Sequence, residues 1–138
     1  MPLYVLDSDS CIYALKGTHP LLVQRLMDSE PGELGTTAIT VAELRYGMLN
    51  STRAETNLAR LGAFLSQLVV INFDETSASH YAEIRLGLSR RGQLIGSLDM
   101  LIAAATRAAG ATLVTNNERE FSRVPGLDWE NWSRLDNP

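Results

Sequence analysis

Cysteine, lysine and histidine are all scarce in this chain, and each scarcity excludes something. Cys11 is the only cysteine of 138 residues. An internal disulfide and a thiolate metal cluster are therefore both excluded. Cys11 lies in the apolar run Cys11-Ile12-Tyr13-Ala14-Leu15, where a buried, inert thiol is expected, and a cytoplasmic location is expected with it. Lys16 is the only lysine; the other eleven basic residues are arginines. His19 and His80 are the only histidines, and neither sits in a recognisable motif. A catalytic scheme built on a histidine base has little to draw on. No window approaches about 20 apolar residues, so a membrane span is not expected. The N-terminus lacks a basic stretch followed by a long apolar run, so no signal peptide is expected. Basic excess is absent too: the net charge is −4 and the pI about 5.1. Any nucleic-acid role must rest on a local patch or a bound cation rather than on bulk charge.

What is present suits one ordinary globular domain, expected to span 1–138: 45% hydrophobic and 20% charged residues. Short apolar runs alternate with helical periodicity. Strands are expected at Tyr4-Val5-Leu6, Leu34 to Thr37, Val69 to Phe73, Thr112 to Thr115 and near Leu127 to Trp129. Helices are expected from a cap at Ser8, Asp9 or Ser10 to Lys16, over Leu21 to Ser29, and from Ile39-Thr40 to Leu49. Three more are expected over 53–67, Thr76 to Arg90 and Asp99 to Ala109. The alternation predicts a parallel sheet with helices on both faces.

Four polar positions then stand out. Asp7 follows the first strand, Asn117 follows the fourth, and Glu43 and Asp99 lie in apolar helical contexts. Ligands of open parallel sheets bind beyond the carboxyl ends of the strands. Carboxylates gathered there repel unless a cation neutralises them. A histidine-poor oxygen site predicts Mg²⁺ or Mn²⁺. Singly, each residue has an ordinary explanation: a helix cap for Asp7, a solvated helix face for Glu43, a helix-start charge for Asp99, a turn for Asn117. One shared site accounts for all four together. Arg45, Arg85, Arg90, Arg91, Arg119 and Arg123 are candidate phosphate contacts, although surface charge accounts for each alone. Trp129 and Trp132 are expected to pack rather than stack on bases.

These contexts resemble a known family. Leu6-Asp7-Ser8-Asp9, Val41-Ala42-Glu43-Leu44, Ile95 to Ala104, and Leu113-Val114-Thr115-Asn116-Asn117-Glu118-Arg119-Glu120-Phe121 are similar to the motif series of PIN-domain ribonucleases. More narrowly they resemble VapC toxins of type II toxin–antitoxin modules, as does the tail Arg123 to Leu127 with Glu130-Asn131-Trp132. The resemblance implies a PIN-like three-layer α/β/α sandwich around a central parallel sheet of four to five strands. It implies an endoribonuclease that hydrolyses phosphodiesters with a metal-activated water, tRNA being one target class, and so inhibits translation and growth. It implies a cognate VapB-like antitoxin and a homodimer. Carried over by position, Asp7, Glu43 and Asp99 are the acidic metal-site residues. Many relatives carry aspartate where Asn117 stands here, so either Asn117 or Glu120 completes the site. Asp9 and Ser97 stand where the family commonly has asparagine and proline. Two alternatives compete. One is a catalytically degenerate PIN fold acting as a binding protein, favoured by Asn117. The other is a haloacid-dehalogenase-like phosphatase, suggested by Asp7-Ser8-Asp9 but lacking a suitably placed lysine and a later acidic pair.

Overall fold

The computed structural model describes residues 2–134; residue 1 and residues 135–138, the ends of the expected domain span, lie outside the described residues. Five strands form one sheet in the order β3-β2-β1-β4-β5, every neighbouring pair parallel. They are β1 (Tyr4–Leu6), β2 (Leu34–Thr37), β3 (Val69–Ile71), β4 (Thr112–Val114) and β5 (Asp128–Glu130). Among the described residues seven helices connect them: α1 (Ser8–Lys16), α2 (Pro20–Met27), α3 (Ala38–Leu49), α4 (Ala54–Leu65), α5 (Glu75–Arg90), α6 (Ser97–Ala108) and α7 (Glu118–Phe121).

Alternation along the central strands sorts the core into two layers. Val5 and Leu113 point to one face, where they meet Ile84 and Leu88 of α5, Ile102 and Ala103 of α6, and Phe121 of α7. Leu6 and Val114, one residue on, point to the other, where Cys11, Leu22, Leu44 and Leu61 of α1 to α4 cover them. The expected three-layer sandwich is what forms, with all five strands in its sheet.

Boundaries moved by a few residues, for local reasons. The cap of α1 is Asp7 itself, whose Oδ1 accepts from the Ser10 amide at 2.9 Å; the expected cap at Ser8, Asp9 or Ser10 is displaced into the helix. Gly17, at φ 66°, stops α1 in the left-handed conformation glycine tolerates. Pro20 opens α2 one residue earlier than expected, having no amide to satisfy. Helix α6 begins at Ser97 behind Gly96, so Asp99 is its third residue and not its first. The four-residue α7 has no counterpart among the helices expected from periodicity, being too short for a repeat to show. Gly35 is required by space: a Cβ there would lie 2.7 Å from the Val69 carbonyl of the neighbouring strand.

Cys11 is fully buried, and burial pushes its thiol up to about 12, as expected of an inert core residue. Trp132 is a packing residue, tilted against Tyr4 at 5.1 Å between ring centroids with the Arg25 guanidinium 4.5 Å over its ring. His19 stacks on Tyr13. Among the described residues no helix is long and apolar enough to cross a membrane.

Candidate active site

Strand register sets the first corner. Leu6 pairs with Val114, and the Asp7 amide donates to the Val114 carbonyl at 3.1 Å, so Asp7 stands at the seam where both central strands end. Ser10 Oγ donates to that same carbonyl at 3.0 Å. Asp7 is only 4% exposed. Burial raises its pKa; hydrogen bonds from Thr115 and Ser10 pull it back, and the charge of Asp9 raises it further. Asp9 is itself exposed, so its influence here is as a neighbouring charge.

Glu43 comes from the middle of α3, half-buried, with its Oε1 accepting from Ser8 Oγ at 2.6 Å. Asp99 comes from the first turn of α6. Gly96 clears space for it, since a Cβ built on that glycine would lie 3.0 Å from Asp99 Oδ2. The Asp99 carboxyl is pushed up to about 7, first by burial, then by a hydrogen bond with Glu120, then by the charges of Glu120, Glu43 and Asp7. Those causes gather all four carboxylates into one electrostatic neighbourhood.

Asn117 precedes α7, its amide donating to Thr115 Oγ1 at 2.9 Å. Its Nδ2 donates to Glu120 Oε2 at 3.1 Å. The asparagine thus orients Glu120, and Glu120 is the residue that meets Asp99. The loop carrying Asn117 is held from below: Asn131 Nδ2 donates to Asn116 Oδ1 at 3.1 Å and to Glu118 Oε2 at 2.6 Å. Ser8, Thr115 and Asn131 escaped the sequence reading as individual supports. Each lay inside a quoted motif, but only contact reveals what a hydroxyl or amide holds.

Among the described residues no three acidic, histidine or cysteine side chains stand close enough to grip one ion together. The donor set nevertheless suits Mg²⁺ or Mn²⁺. It is all oxygen, it is crowded with like charge, and Mg²⁺ keeps several waters, so one or two direct carboxylates suffice.

The candidate phosphate contacts divide. Arg85 lies over Tyr81 and donates to its hydroxyl at 2.8 Å. Arg123 reaches the carbonyls of Gln93 and Leu94, and Arg91 the carbonyl of Arg123, so these two brace the loop leading into α6. Arg45, Arg90 and Arg119 are exposed. Lys16 lies at the far end of α1 from Asp7, which leaves the phosphatase alternative without its lysine. Beside Glu43 opens an apolar groove of about 380 Å³, lined by Ile39, Ala42, Tyr46 and Leu98.

The fold is a parallel sheet with carboxylates gathered beyond the ends of its central strands. The family model described as PIN domain matches residues 4–127. The chain is 41% identical over 129 residues to a ribonuclease VapC2 of Haemophilus influenzae, covering 94% of this chain and 97% of that protein. It is 38% identical over 130 residues to a tRNA(fMet)-specific endonuclease VapC of Shigella flexneri, covering 94% and 98%. The DNA-bound VapBC of Salmonella typhimurium includes a chain that superposes with a TM-score of 0.90 at 36% identity, covering 96% and 99%. The chain therefore belongs to the PIN-domain family and, within it, to the VapC ribonucleases.

Proposed function

We propose that this VapC ribonuclease is a Mg²⁺- or Mn²⁺-dependent endonuclease, one PIN domain long, whose metal site is formed by Asp7, Glu43, Asp99 and Glu120, one or two of them bound directly and the others through water. The observation that carries this reading is the crowding at Asp99, a half-buried carboxyl raised first by burial and then by Glu120, Glu43 and Asp7. Nothing in the fold requires such crowding, and a divalent cation resolves it. A bound ion supplies a water of lowered pKa and neutralises charge developing on the phosphate. The residues do the rest by position. Asp7 is fixed by the Ser10 amide and by the β1–β4 seam. Asn117 holds Glu120 at the fourth corner rather than serving as a ligand. Retention of all four carboxylates speaks against a degenerate binding protein.

The substrate is RNA, with tRNA proposed as its class from the Shigella relative. A VapB-like antitoxin and a homodimer are proposed as partners, and inhibition of translation as the consequence in a cell. Helix α3 supports partners: it is apolar on nearly every side, yet Tyr46 and Leu49 are 69% and 64% exposed. A helix of that kind is normally covered.

The direct test is cleavage of total tRNA by the purified chain in EDTA, after Mg²⁺ or Mn²⁺ add-back, and by Asp7→Asn. Cleavage is expected with metal alone and only by the parent. Chelator-resistant cleavage, or equal cleavage by both proteins, would overturn the metal reading.

A further inference from the structure

Glu43 reaches the acidic group from mid-helix on a long side chain, towards charges that repel it. Its charge bears on Asp99, and repulsion acts equally on both. Left alone, a half-buried glutamate relieves this by rotating into water, at little cost for a side chain so rich in rotamers. One contact opposes that rotation: Ser8 Oγ donates to Glu43 Oε1 at 2.6 Å, across 35 positions of sequence. Among the described residues no other hydrogen bond reaches that carboxylate. Among the described residues the Ser8 hydroxyl makes no other hydrogen bond. The cap of α1 is Asp7, and the hydroxyl that ties α1 to β4 belongs to Ser10. A donor one residue from Asp7 therefore points at the one corner of the site that comes from α3.

We propose that Ser8 is a positioning residue that holds the Glu43 carboxylate toward Asp7 and Asp99, and thereby sets the affinity of the site for a divalent cation. The proposal rests on the metal reading above. Its physical basis is that a carboxylate with one oxygen already bonded in place presents the other in a fixed direction. Groups that orient metal ligands typically change affinity by about 10–100-fold when removed.

The test is calorimetric titration of Mn²⁺ into the purified chain, without RNA. Four variants accompany the parent: Ser8→Thr, Ser8→Val, Ser8→Ala and Glu43→Gln. Threonine and valine share a shape and differ by the hydroxyl, so they separate hydrogen bonding from packing. Ser8→Thr is expected to bind Mn²⁺ nearly as the parent does. Ser8→Val is expected to bind about 10–100-fold more weakly, with a thermal midpoint in EDTA close to that of Ser8→Thr. If Ser8→Val does not fold, Ser8→Ala carries the same expectation, alanine being the residue best tolerated in a helix. Parent-like Mn²⁺ affinity in the variants lacking the hydroxyl would overturn the role of Ser8 and leave the metal reading standing. Equal Mn²⁺ binding by the parent and Glu43→Gln would instead overturn the placement of Glu43 in the site, and the inference with it.

Discussion

Two polar clusters are embedded in this chain, and they are opposites. One centres on Arg107, whose side chain is 14% exposed at the contact of α5 and α6. Its Nε donates to His80 Nδ1 at 2.8 Å, Nη1 to the Pro125 carbonyl at 2.8 Å and Nη2 to Glu83 at 2.7 Å. The guanidinium has an acceptor on each side, and His80 is the acceptor at Nε. The other cluster is the acidic group of Asp7, Glu43, Asp99 and Glu120, where like charges face each other and a carboxyl is pushed up to about 7. The first cluster is satisfied by the protein alone and joins two helices to the 125–126 turn. The second gathers like charge around Asp99. A buried charge that is fully paired is structural; one that is crowded and unpaired marks a place where something else binds.

The comparison can be broken most forcefully at Asp99. Asp99→Asn should lower metal-dependent cleavage on the order of a thousandfold, the weight of several kcal/mol of lost charge stabilisation. The same change should raise the thermal midpoint in EDTA, because it removes one of the repelling charges. A fall in midpoint would show that the acidic group is held together structurally after all.

Arg107→Ala should do the reverse. It should cost about 2 kcal/mol of unfolding free energy in urea through lost charged hydrogen bonds, while cleavage at low temperature stays near the parent's. Loss of cleavage in protein shown to be folded would move Arg107 into the functional half of the comparison.

A smaller effect sharpens the contrast through pH. The pKa values of the Asp7 and Asp99 carboxyls are raised in the folded chain above the ordinary aspartate value of 3.8. The folded state therefore holds protons that the unfolded state releases, and stability rises as pH falls. In EDTA the thermal midpoint should climb as pH falls from about 8 to about 4, then level off as the unfolded carboxyls also protonate. Asp74, which caps α5, is shifted the other way, and its contribution is lost only at still lower pH. Scanning calorimetry of the parent against Asp99→Asn checks this. Identical pH profiles would remove Asp99 as the cause.

Much of this was legible in the sequence, for a physical reason. Strands as short as β1 and β4, buried on both faces, read as apolar runs, and the polar residue ending each is forced to the sheet edge. Asp7 and Asn117 were visible in that way. Glu43 and Asp99 were visible as acids in apolar helical surroundings, and the family resemblance joined all four. The fourth corner was left open between Asn117 and Glu120 because both lie within one turn. The amide of Asn117 donates to Glu120, a relation that side-chain direction decides and spacing does not. Ser8 was hidden similarly: nothing in Asp7-Ser8-Asp9 shows that a hydroxyl faces a residue 35 positions later. Arg107 was passed over because its partners come from α5 and a distant turn.

The strand order has one more consequence, and it concerns time. Strand β1 takes the central place in the sheet, between β2 and β4, although β4 is made more than a hundred residues after it, and Tyr4 pairs with Thr112. Such a long-range closure is slow to reach and cannot be rehearsed by a shorter piece. The chain up to residue 111 holds Asp7, Glu43 and Asp99 but neither β4 nor Glu120, and Asp7 there lacks its bond to Val114. The proposed active centre is thus assembled only after β4 and α7 have been made and have folded onto β1.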